Sequence, residues 1–161
     1  MMIRRCLILA PLLAAFLSAA AQTDSIVGTW VLTAADKQLP NGTRVADYGP
    51  NPHGIVIFTA AGYYSVQIYR AERLKFSSGD KFNGTPEEYK AASLGMSVHF
   101  GRYTVHPVEG TIAFHIDRFS VPSFDDTTQV RPYELKGDTL SWKVPARNDG
   151  SVPITVLRRA K

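Results

Sequence analysis

From residue 25 onward, apolar and polar positions alternate over short stretches rich in Val, Ile, Phe, Tyr and Thr, with turn-forming residues between them at fairly regular spacing. A period of two with this composition predicts half-buried β-strands. Eight are expected, near residues 26–36, 54–60, 63–71, 97–106, 111–119, 128–136, 138–144 and 152–159. Ala60-Ala61-Gly62, Pro107-Val108-Glu109-Gly110 and Lys136-Gly137-Asp138 have the length and residues of hairpin turns, so sequential strands pair. A meander of eight strands keeps two open edges unless it closes on itself. The expected fold is all-β, an antiparallel up-and-down barrel of about eight strands, with a β-sandwich as its rival.

One stretch breaks the alternation. Thr85-Pro86-Glu87-Glu88 opens with a capping threonine, a proline at the first helical position and two acids in the first turn, and Gly95 ends the segment. It predicts a short helix inside a long, polar connection that can cover a barrel mouth. The connection over residues 36–53 is also long. Its Leu39-Pro40-Asn41-Gly42-Thr43 and Tyr48-Gly49-Pro50-Asn51-Pro52-His53-Gly54 segments are dense in residues with restricted backbone angles, which predicts an ordered loop.

Upstream of the strands, Arg4-Arg5 precede an apolar run over residues 6–17, followed by Ser18-Ala19-Ala20-Ala21. This is the order of parts in a secretory signal, expected to be cleaved after Ala21. The run is shorter than the roughly 20 apolar residues that cross a bilayer, and Pro11 interrupts it. Residues 22–161 then form one domain, located in the periplasm or secreted, with no stable membrane insertion once the signal is removed. Cys6 is the single cysteine of the 161 residues and leaves with the signal, so disulfides, thiol nucleophiles and cysteine-bound metal are not expected. The balance of charge over the remainder, near +2, does not suit nucleic acid.

Gly28-Thr29-Trp30 resembles the G-x-W signature of lipocalins. Further along the chain come Leu39-Pro40-Asn41-Gly42-Thr43, Gly49-Pro50-Asn51-Pro52, Gly62-Tyr63-Tyr64-Ser65, Gly84-Thr85-Pro86-Glu87-Glu88-Tyr89, Phe100-Gly101-Arg102-Tyr103 and Gln129-Val130-Arg131. The succession resembles the bacterial and fungal lipocalin-like domain family. The resemblance implies a small calycin-type barrel with a central cavity, in which Trp30 plugs the closed end and an arginine of the last strand lies across it. Arg158 is the candidate for that arginine. Function is implied only loosely, because one fold serves many functions.

Residues two apart on a strand share a face, which sorts the polar candidates into sets. One orientation turns inward Tyr63, Ser65, Gln67 and Tyr69, then His99, Gly101, Tyr103 and Val105, then Thr111, Ala113, His115 and Asp117, then Gln129, Arg131 and Tyr133. The opposite orientation fills the barrel with Val98, Phe100, Ile112, Phe114 and Ile116, and both stay open at this stage. The first gathers Gln67, Tyr103, His115 and Arg131 as ligand-binding residues, with the planar fork of Arg131 suited to a carboxylate. His115 and Asp117 lie about 7 Å apart along their strand, too far for an acid–base dyad, and no catalytic residue is assigned. The four histidines lack paired zinc-site spacing, and no phosphate-binding or dinucleotide motif occurs in a suitable context, so no metal or cofactor is expected. The leading expectation is binding or carriage of a small apolar molecule, with or without a carboxylate or other polar end. The alternatives are a cofactor-free isomerase or cyclase acting through His115, Tyr103 or Arg131, and a cavity-less interaction or inhibitor module of the envelope.

Overall fold

The computed structural model describes residues 25–161; the signal-peptide expectation for residues 1–21 lies outside them. Nine strands follow one another: β1 (Gly28–Gln38), β2 (Arg44–Ala46), β3 (His53–Phe58), β4 (Tyr63–Tyr69), β5 (Met96–His106), β6 (Thr111–Phe119), β7 (Thr127–Lys136), β8 (Thr139–Lys143) and β9 (Val152–Arg159). All pairings are antiparallel, and β1 pairs with both β3 and β9, so eight strands close into a barrel. Closure removes the sandwich alternative. The ninth strand, β2, is a short addition to the far end of β1. It lies in the connection expected to be an ordered loop, and it forms because the turn at Leu39–Thr43 returns the chain as a hairpin, with the Thr43 carbonyl accepting from the Leu39 amide at 2.8 Å.

The connections differ at the two ends. Residues 59–62, 107–110 and 137–138 make tight hairpins at one end, whereas residues 39–52, 70–95, 120–126 and 144–151 make longer connections at the other. The tight end is closed by Trp30, Phe58, Ile112, Leu140 and Leu157, all essentially inaccessible to solvent. Burying large apolar side chains of this kind contributes roughly 1.5–3 kcal/mol each. The Trp30 indole N–H donates to the Ile26 carbonyl at 2.7 Å, so its polar edge is satisfied.

At the wide end, the expected helix α1 (Pro86–Leu94) is present with its capping box. The Glu88 carboxylate accepts from the Thr85 amide at 2.8 Å and from the Ser77 amide at 2.7 Å. Those two amides hold its pKa below the usual carboxylate range. One side chain thus caps the helix and pins the preceding loop to it. Among the described residues, no helix is long and apolar enough to cross a membrane.

Two bulges interrupt the alternation, one in β1 between Leu32 and Ala34 and one where β6 passes Gly101. A Cβ at Gly101 would overlap the His115 carbonyl oxygen, so only glycine allows the strands to approach here. Beyond each bulge the inward face changes parity. Trp30 and Leu32 give way to Ala35 in β1, and Ile112, Phe114 and Ile116 give way to Phe119 in β6.

Candidate functional site

Above the packed floor of Phe58, Phe114 and Trp142 the barrel opens into a chamber of about 730 Å³. Val66, Ile68, Phe119, Val121 and Phe124 give it an apolar wall, while His99, Gln129 and Arg131 project polar groups into it. The expectation of a cavity-less module is overturned by this space. A few converging polar groups in an apolar cleft are the usual make-up of a small-molecule pocket.

The polar groups are linked. Arg131 is only 3% exposed and stands over the Phe114 ring, its guanidinium carbon 4.3 Å from the ring centre. Gln129, two residues back on the same face of β7, accepts from it at 2.8 and 3.3 Å. His99 Nε2 lies 3.4 Å away, and His99 Nδ1 is 2.9 Å from the Tyr64 hydroxyl. The imidazole is also stacked on Phe119, with ring centroids 4.9 Å apart. Because guanidinium can only donate, Nε2 must accept, which puts the imidazole proton on Nδ1, facing the Tyr64 oxygen. Burial and the neighbouring Arg131 charge both hold His99 well below its ordinary pKa, so it is neutral near pH 7. Burial pulls Arg131 down to about 10 and pushes the Tyr64 phenol upward. Arg131 therefore keeps its charge at neutral pH, and among the described residues no carboxylate comes within 4 Å of it.

Two other cations at the chamber, Lys37 and Arg147, have a partner. Asp47, in the connection after β2, takes a bidentate contact from Arg147 of the 144–151 connection and a second from Lys37 at 3.4 Å. These contacts outweigh the effect of burial and hold the Asp47 carboxyl below its usual range. They tie three chain segments together around the mouth.

Of the four expected binding residues, Arg131 alone lines the chamber. Tyr103 also faces inward, but it sits at the closed end, where its hydroxyl donates to the Thr59 carbonyl at 2.9 Å and its ring packs edge-on against Phe58. Gln67 faces outward, because Tyr64, Val66 and Ile68 hold the inner face of β4. His115 is exposed on the outer wall beside Thr128, 3.0 Å away, since Ile112, Phe114 and Ile116 hold the inner face of β6. The isomerase reading through His115 goes with it. Neither single orientation holds for the whole barrel, because β5 and β7 turn their polar sets inward while β4 and β6 do not; Phe100, expected as filling, is 50% exposed. His99, Tyr64 and Gln129 complete the cluster, and His99 was open to prediction as the neighbour of Tyr103 on one face of β5.

A further correction concerns the closed end. Arg159, not Arg158, lies against Trp30, its guanidinium carbon 4.2 Å from the ring centre. Leu157 is buried in the core, so alternation places Arg159 inward and Arg158 in solvent. Among the described residues no cluster of His, Cys, Asp and Glu is suited to a metal ion.

The family profile described as a lipocalin-like domain matches residues 27–159. Among solved structures, the chain is similar to a lipocalin-like protein from Bacteroides uniformis, at 14% identity over 85% of this chain and 99% of that one, with a TM-score of 0.43. It is similar to an uncharacterized protein from Bacteroides eggerthii at 14% identity, over 84% of this chain and 100% of that one, with a TM-score of 0.41. Its likeness to a mutant of the fluorescent protein UnaG is 15% identity over 84% and 96% of the two chains, with a TM-score of 0.36. No curated protein matches the chain. With the profile running from the residue before β1 to the last residue of β9, the chain belongs to the lipocalin-like domain family.

Proposed function

We propose that the protein binds a small apolar molecule that ends in an acidic group, with the apolar part in the chamber and the acid at Arg131. The observation that carries this reading is a buried guanidinium with no carboxylate among the described residues within 4 Å of it. An uncompensated buried charge costs several kcal/mol, and a ligand anion would offset that cost. Gln129 fixes the orientation of the guanidinium, and His99 and Phe119 wall its approach. The signal-like residues 1–21 extend the proposal to a location in the periplasm or outside the cell, where N-terminal sequencing would find a start at or near Gln22.

Titration with a fluorescent fatty acid tests the reading. Binding in the micromolar range is expected, corresponding to about 8 kcal/mol, and Arg131→Ala should weaken the acid more than the alcohol of the same chain, since only the acid uses the guanidinium fork. Equal loss for both compounds would mean that Arg131 shapes the barrel without reading the ligand.

A further inference from the structure

Beside the chamber lies a second depression of about 690 Å³, formed between α1 and the chain that leaves β4. Arg70 and Leu94 line both spaces, so the groove continues the chamber past its mouth. Arg70 is the cation at this junction. Its backbone is fixed by donation to the Gly95 carbonyl at 2.9 Å, which extends the β4–β5 pairing by one step. No carboxylate among the described residues lies within 4 Å of its side chain, whereas the other mouth cations, Lys37 and Arg147, both contact Asp47.

The separation of the two uncompensated arginines follows from the register. His99, which touches Arg131, pairs with Val66 of β4, and Arg70 is four residues further along that chain. Four residues of extended strand rise about 13 Å. The wall between them is apolar, with Val66 and Ile68 on the inner face and Leu94 at the rim.

We propose that the ligand is two-headed: an elongated molecule with an acidic group at each end, one on Arg131 at the bottom of the chamber and the other on Arg70 at the junction with the groove. The proposal rests on the reading of Arg131 given above. Chain length then decides affinity in a way that a single-headed pocket cannot reproduce. In a diacid too short to reach Arg70, the second carboxylate sits in the apolar wall and loses its water. In one long enough, it meets a guanidinium at the solvent edge.

Calorimetric titration of the full protein with a series of straight-chain α,ω-dicarboxylic acids, each beside the monocarboxylic acid of equal length, tests this. Short diacids should bind more weakly than their monoacids, and the order should reverse, to about fivefold in favour of the diacid, once the chain spans the two arginines. Arg70→Gln should bring that ratio back to about one, as should 0.5 M salt, because the outer pair is exposed to screening. Diacids that never overtake monoacids at any length, or a ratio insensitive to Arg70→Gln, would overturn the two-headed ligand while leaving the inner site standing. Monoacids that fail to bind, or that bind independently of Arg131, would instead remove the inner site.

Discussion

Each end of the barrel sets an arginine against an aromatic ring, at 4.2 Å for Arg159 on Trp30 and 4.3 Å for Arg131 on Phe114. The surroundings differ. Arg159 donates to the Ser25 and Val27 carbonyls at 2.7 and 3.0 Å and lies 3.6 Å from the Asp138 carboxylate. Arg131 is more deeply buried and, among the described residues, has only an amide oxygen and an imidazole as hydrogen-bond partners. The first arginine clasps the N-terminal segment and the β7–β8 turn onto the barrel, and its charge is answered within the chain. The second is held in place with its charge unanswered. A similar arginine-to-ring distance thus serves cohesion at one end and, on the proposed reading, recognition at the other, and the count of acceptors separates the two roles.

The largest effect expected is at the closed end: Trp30→Ala should cost roughly 3–5 kcal/mol in urea unfolding, and an unchanged midpoint would show that the floor does not depend on the indole. Arg159→Ala should follow at about 1–2 kcal/mol, from the lost ring contact and the carbonyls left without a donor. Acidification probes the open end. His99 is neutral when folded and has the ordinary pKa of about 6.5 when unfolded. The unfolded chain therefore binds the extra proton first, and stability should fall as pH drops below about 6.5, by at most about 1.4 kcal/mol per unit. His99→Gln should flatten that slope between pH 6.5 and 5; a slope that persists would assign it to other groups. Arg131→Met should leave the ligand-free protein within about 0.5 kcal/mol of the parent or more stable, since an apolar side chain removes an uncompensated charge. A loss as large as that of Arg159→Ala would erase the contrast between the ends. Arg158→Ala, on the solvent side of β9, should shift stability least, within about 0.5 kcal/mol.

The strands and helix were legible because their signals are local: alternation, hairpin residues at 107–110 and 137–138, and the Thr85–Glu88 cap. The site was legible only in part, and the failure has a definite cause. Treating strands one at a time put Tyr103 and His115 on the same side. The four-residue turn after His106 pairs His106 with Thr111, so Tyr103 falls opposite Phe114 and Arg102 opposite His115. Directly paired residues share a face, and Tyr103 and His115 are therefore on opposite sides of the wall. The buried Leu157 likewise selects Arg159 over Arg158 by parity. Arg131 was found because its strand has no bulge before Gln129, so simple alternation applies to both. Of the two bulges, only the one opposite Gly101 leaves a trace, a glycine inside a strand. Thr33 and Asp117 are unremarkable residues in their strands, and the parity change they cause depends on pairing with distant strands.

The bulge opposite Gly101 makes β6 a strand read in two frames. Its first frame, through Ile116, supplies the floor; its second, after Asp117, supplies the ring on which His99 stacks. The lining of the chamber is consequently encoded by residue count as much as by residue type. A substitution on the outer wall leaves the frame intact, whereas deleting one residue near Asp117 would merge the two and turn Phe119 toward solvent. Relatives whose chambers differ in shape can therefore diverge by single-residue insertions and deletions in β1 and β6, with the composition of both strands almost unchanged.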